Sequence, residues 1–201
     1  MKYLILIALF AFASAQDEPN WPIYDRPCSE RSALVRPNVK EAFNVAAYSG
    51  TWFNIRHYRQ RDEPDADCQT SSYSWGFISR TFRIDRSGYA FEANETFSRT
   101  ATALLAFPDA NPTLGLLNVT YYGDLVDESG TNYYVIATDY FQYAVVWGCF
   151  DLPETEQSRE FAWIMSRTPA LPENYEERVA NYIEQYFDAD LIVETDQTEE
   201  T

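Results

Sequence analysis

Histidine occurs once in the 201 residues, as His57. A lone imidazole leaves a histidine-based triad or general base without partners, and no set of Cys, His, Asp and Glu shows the spacing of metal ligands. Glycine is scarce as well. The seven present form no glycine-rich phosphate cradle. Basic residues are half as frequent as acidic ones, 15 against 31, for a formal charge of −16. Such a surface repels nucleic acid and anionic membranes, which argues against both as partners. Beyond residue 15 no apolar run is long enough to span a bilayer, and neither internal repeats nor low-complexity segments occur. Cysteine is limited to three, so at least one has no partner within the molecule. Together these absences argue against an enzyme and against any required cofactor.

The chain opens MKYLILIALFAFASA, one lysine before about 12 apolar residues and then Ala13-Ser14-Ala15. Residues 1–15 read as a secretory signal peptide, and the mature protein is expected to be extracellular. Its charge becomes −17 once Lys2 leaves, 14 basic against 31 acidic. About 185 residues remain, enough for one domain with a substantial core. Residues 16–46 are polar and contain proline, without sustained periodicity. They read as an N-terminal arm that crosses one end of the fold and enters the first strand through a helical turn around Val39 to Phe43. From there to Ser166, short runs rich in aromatic and β-branched residues recur between turn residues. Strands are expected near 51–58, 70–78, 81–85, 89–97, 101–107, 114–122, 133–138, 143–150 and 160–166. Asp85-Arg86-Ser87-Gly88, Pro108 to Pro112 and Glu128 to Gly130 supply turns. After Arg167 the period changes: Tyr175, Val179, Tyr182, Ile183 and Tyr186 recur at helical steps behind Leu171-Pro172-Glu173. The domain is expected to occupy 47–193, and residues 194–201 to be an acidic mobile tail.

Gly50-Thr51-Trp52 entering a strand, Thr138-Asp139-Tyr140 between two β-prone runs, and Arg167 after FAWIMS resemble the three signature regions of the lipocalins. The segment around Cys28, the TDY turn, WGC before the last strands and IVETDQ at the end make the chain most similar to the apolipoprotein D and insect bilin-binding branch. The resemblance implies an all-β fold, an eight-stranded up-and-down antiparallel barrel with one α-helix on its outside. It implies a disulfide between Cys28 and Cys149. Cys68 matches half of a second family bridge whose other half is missing from this chain. That thiol is either inert, or joined to a second chain in a dimer, or bound to a covalent ligand; its place in the loop after the first strand argues against thiol catalysis. The resemblance also places Arg167 over Trp52, closing the barrel floor.

Strand alternation converts the fold into a site. If Trp52 points inward, period two sends Asn54, Arg56 and Tyr58 inward and His57 outward. Phe161, Trp163 and Met165 share one face of a later strand with Arg159, and the family resemblance makes that face the interior. The same register brings Phe91, Ala93, Glu95, Thr102, Leu104, Leu117, Val119, Tyr121, Tyr133, Val135, Gly148 and Phe150 to the cavity. The expected ligand-binding set is Asn54, Arg56, Tyr58, Phe91, Leu104, Val119, Tyr121, Tyr133, Phe150, Arg159, Phe161 and Trp163. So aromatic a lining suits a flat conjugated or sterol-like molecule, unless the barrel is filled by its own side chains. Arg56 and Arg159 either pair with Glu95 or hold the carboxylate of a fatty acid, retinoid acid or bilin. Asn94 and Asn118 each begin an N-x-Thr sequon and are expected to point outward, where a glycan fits. The functional expectation is a secreted carrier for a bilin, retinoid, sterol or fatty acid; the alternative is a storage, structural or signalling protein that uses the barrel as a scaffold.

Overall fold

The protein is described by a computed structural model over residues 22–32, 43–58, 66–90 and 94–198. The signal segment 1–15, Phe91, Ala93 and most of the turn expected at 39–43 lie outside the described residues. Eight antiparallel strands follow one another around a closed barrel: β2 (Gly50–Tyr58), β3 (Ala66–Gly76), β4 (Thr81–Ala90), β5 (Glu95–Leu105), β6 (Leu116–Val119), β7 (Tyr133–Thr138), β8 (Tyr143–Asp151) and β9 (Ser158–Ser166). Pairing of β9 with β2 closes the ring. A two-residue β1 (Ile23–Tyr24) extends the edge of β9, and a short β10 (Ile192–Glu194) returns to β2.

The barrel wall is buried on both sides where α3 (Glu173–Tyr186) covers it. In β7, Tyr133 and Val135 join the interior cluster, while Tyr134 and Ile136 join a second apolar cluster outside. Val179 and Tyr186 of α3 enter that outer cluster with Ile55, Trp147 and Ile164 of the wall. Each such side chain withdrawn from water contributes about 1.5–3 kcal/mol. Cys28, opening the short α1 (Cys28–Ser32), is bridged to Cys149 of β8, 121 residues away.

Three local features depart from simple alternation. The β2–β9 register shifts between Asn54 and Arg56, where Ile55 is an extra residue on β2. Such a bulge reverses which face every later residue presents. The stretch Asp85 to Gly88 is no turn: β4 runs through it and pairs continuously with β5 from Thr81 to Ala90. Gly88 serves packing there, since a Cβ at that position would lie 2.7 Å from the Phe97 ring. The reversal comes later, with Asn94 in the left-handed region at φ 52°.

Of the tail expected to be mobile, residues 194–198 are described and lie against the barrel. Glu194 pairs with Arg56 in the β10 register, and Gln197 Nε2 donates to the carbonyls of Asn54 at 2.9 Å and Gln69 at 3.0 Å. Cys68 lies against this tail, its amide donating to Asp196 and its thiol 3.9 Å from the Thr198 carbonyl oxygen. A dimer through Cys68 gains no support from that placement.

Candidate ligand-binding cavity

One end of the barrel is sealed by a short helix, α2 (Val45–Tyr48), and by two residues far apart in sequence. The Arg167 guanidinium lies over the Trp52 indole, 3.6 Å from its centroid, and its nitrogens reach the carbonyls of Ala47, Tyr48, Ser49, Thr51 and Tyr140. Gly50, at φ 101°, admits this approach, for a Cβ there would stand 3.1 Å from Arg167 Nη1. Above the seal, Tyr133 shares hydrogen bonds with the hydroxyls of Tyr48 at 3.1 Å and Tyr73 at 2.7 Å. Burial pushes all three phenols up in pKa.

Over this tyrosine layer lies the cavity, lined by Asn54, Ser71, Tyr73, Ile84, Arg86, Val119, Tyr121, Tyr133, Trp163 and Met165. Its walls pack closely. The gap measures about 10 Å³, the size of one water molecule, so a larger guest must displace side chains. Arg86 is the cation of the lining and is only 9% exposed. Its Nη2 donates to Gln69 Oε1 at 2.5 Å, and its guanidinium lies 5.5 Å from the Trp163 ring and 5.9 Å from that of Phe97. Tyr121 donates to the carbonyls of Ile84 and Arg99, and burial pushes its phenol up to about 12.

The Lipocalin-like domain family matches residues 43–197, most of the chain. The chain is a lipocalin. Among relatives, Lazarillo of Schistocerca americana is 28% identical over 70% of this chain, and the match spans 60% of Lazarillo's own length. The bilin-binding protein of Pieris brassicae is 26% identical over 91% of this chain and 87% of its own. Lobster apocrustacyanin A1 has the same fold at a TM-score of 0.63 and 20% identity, with 90% of this chain and 93% of that one covered. Insecticyanin from Manduca sexta gives 0.63 and 21%, over 89% and 90%. The bilin-binding protein and the insecticyanins are thus among the insect lipocalins that this chain is similar to.

Of the residues expected at the lipocalin site, Asn54, Val119, Tyr121, Tyr133 and Trp163 are brought together around the cavity. Phe150 and Phe161 lie in the interior cluster beside it, with Phe161 4.6 Å from Trp163 between ring centroids. Arg159 pairs across strands with Phe150 and is buried. Five residues take the opposite face to the one expected. Arg56 and Tyr58 face outward, because the bulge at Ile55 reverses the alternation. Arg56 is tied to Glu176 of α3 at 2.9 Å and to Glu194 at 3.2 Å, not to Glu95, and Tyr58 packs edge-on against Phe187. His57, opposite Trp163 in the register, takes the inward parity instead, with Nδ1 3.0 Å from Thr195 Oγ1. Leu104 and Thr102 face solvent, Leu104 at 46% exposure, because Ala101, Ala103 and Leu105 hold the inward positions of β5.

Sequence reading missed Ser71, Tyr73, Ile84 and Arg86. The alternation of Phe82, Ile84, Arg86, Gly88 and Ala90 carries the signal for two of them, and it is lost once residues 85–88 are taken for a turn. Asn118 sits opposite outward Leu104. Asn94 is exposed in its turn and accepts a hydrogen bond from the Tyr89 hydroxyl.

Proposed function

We propose that this lipocalin is a secreted carrier that holds a small hydrophobic molecule in its barrel without altering it chemically. The observation that carries the reading is the stack inside the ring: a sealed floor, a hydrogen-bonded tyrosine layer, and above it a cavity walled by Ile84, Val119, Tyr121, Trp163 and Met165. Rings and aliphatic chains there give dispersion contact to a flat guest at little entropic cost. The relative from Pieris brassicae, whose name states that it binds a bilin, supports a pigment or a molecule of similar flatness. Protein purified from its natural source should carry an extractable ligand, visible as absorbance beyond that of tryptophan or as added mass in native mass spectrometry. Colourless, ligand-free protein whose tryptophans are not quenched by retinoids, bilins or fatty acids would overturn the carrier. The close packing of the cavity favours one competing reading, a barrel that serves as a rigid scaffold in a storage, structural or signalling protein. The same purification separates the two. Glycan on Asn94 or Asn118, both on outer surfaces, is an expected mark of the secretory route, and glycosidase treatment followed by mass measurement detects it.

A further inference from the structure

We infer that the cavity selects a ligand with an anionic head group, a carboxylate on a hydrophobic body, and that Arg86 is the residue that receives it. The inference rests on the carrier reading and adds the chemical class of the guest. Arg86 is buried and lines the cavity, yet among the described residues its guanidinium makes a single hydrogen bond. Nη2 is held by the neutral amide oxygen of Gln69, while Nε has no acceptor among the described residues. No carboxylate stands within ion-pair distance of it among the described residues, although acids outnumber bases two to one in the chain. A buried cation left in this state is costly, and an arriving anion removes the cost.

A second arginine faces Arg86 across the sheet. Arg99 lies directly opposite it on β5, in a register unbroken from Glu95 to Leu104, so the two side chains leave the sheet on the same face. Like charges directly opposite each other are unfavourable in a sheet. Arg159 takes the inward parity on β9 beside Phe150. The acid on this face of β5, Glu95, is exposed at the strand's start and makes no ion pair with Arg86. Asp67 on β3 is engaged by the tail, accepting from the Asp196 amide. The Nε and Nη2 edge of a guanidinium matches the two oxygens of a carboxylate, which would take the place of the Gln69 amide and add a second bond at Nε. With Trp163 and Phe97 flanking the guanidinium, the hydrophobic body of such a guest would lie against their rings.

The test compares molecules that differ only in the head group: all-trans-retinoic acid against all-trans-retinol, and oleic acid against oleyl alcohol. Binding at neutral pH is followed by tryptophan quenching and by calorimetry. In at least one pair the acid should bind about tenfold or more tighter than the alcohol, the scale of one or two charge-assisted hydrogen bonds. In Arg86→Gln, confirmed folded by circular dichroism, acid and alcohol should come within about threefold of each other, with Arg86→Lys between. Equal binding of acid and alcohol by the wild-type barrel, or an undiminished preference in Arg86→Gln, overturns the anionic selection and leaves the carrier standing. Binding of none of the four by the folded protein overturns the anionic selection, and the carrier falls with it only when the native protein is also ligand-free and its tryptophans are not quenched by a bilin.

Discussion

Replacing Arg167 by alanine should lower the stability of the barrel far more than it alters ligand affinity. Five carbonyl oxygens lie within 3.3 Å of the guanidinium, three of them around Nη2, which carries two hydrogens and must share them. About four effective charge-assisted bonds result, each worth roughly 1.5–3 kcal/mol when its acceptor is left dry. Water reaches part of this half-buried site and rehydrates some carbonyls in the variant, which removes much of that sum. The cation over the Trp52 face adds about 1–2 kcal/mol. A net loss of about 3–5 kcal/mol follows, near the upper end for single substitutions, and for a domain of this size it corresponds to about 6–20 °C in Tm. Melting followed by circular dichroism reads the shift, with Arg167→Lys expected between wild type and alanine because it keeps the charge and loses the fork. Affinity for a retinoid probe, measured well below the transition, should stay within about threefold, since the guanidinium lies beneath the tyrosine layer. An alanine variant melting within about 2 °C of wild type, or one with normal melting and lost affinity, would refute the assignment of Arg167 to the floor.

Trp163→Ala should weaken binding by about 1–3 kcal/mol through loss of one large apolar wall, whereas Arg56→Ala should leave affinity unchanged and cost at most about 1 kcal/mol of stability. Titration calorimetry on both variants checks the contrast, and a binding defect in Arg56→Ala would put the bulge in doubt. Removing the bridge with Cys28→Ser and Cys149→Ser together should cost roughly 2–5 kcal/mol in urea unfolding, and peptide mapping that finds Cys68 joined to either cysteine would contradict the pairing. The buried phenols of Tyr48, Tyr73 and Tyr133 have raised pKa values, so the stability they confer is complete below the unfolded value of about 10 and is lost as pH climbs above it. Ultraviolet titration should therefore show them ionising only together with cooperative unfolding at alkaline pH. Ionisation near pH 10 in a folded barrel would mean that the layer is open to solvent.

Much of the barrel is legible because its strands are short runs rich in aromatic and β-branched residues set between turn residues. Residues 133–138 and 143–150 read as strands from sequence, and β7 (Tyr133–Thr138) and β8 (Tyr143–Asp151) occupy those stretches in the structure. The floor is legible through the family resemblance, which sets Arg167 over Trp52, and the structure places the guanidinium there. What escapes is the phase of the alternation. One extra residue, Ile55, inverts the faces of Arg56, His57 and Tyr58, and nothing in the local composition marks it, because isoleucine suits a bulged and a regular position alike. In β4 the error has the opposite origin. Asp-Arg-Ser-Gly has the composition of a turn, but Gly88 is there to admit the Phe97 ring and Arg86 to face the cavity, reasons that arise only when distant strands meet. Leu104 shows that hydrophobicity does not by itself assign a face when alanines fill the crowded inner positions.

The pairing that closes the ring also orders events in time. Strands β3 to β8 each find a partner next to them in sequence and can zip up as they emerge, but β2 meets β9 only across about a hundred residues. At ordinary elongation rates its second edge stays open for roughly 5–20 s after it is made. Phe53 and Ile55 lie along that unpaired edge, which is the kind of surface that recruits a foreign strand. The joining of β2 to β9 is therefore expected to be the slow step of folding, and until it is complete the β2 edge is where misassembly would start.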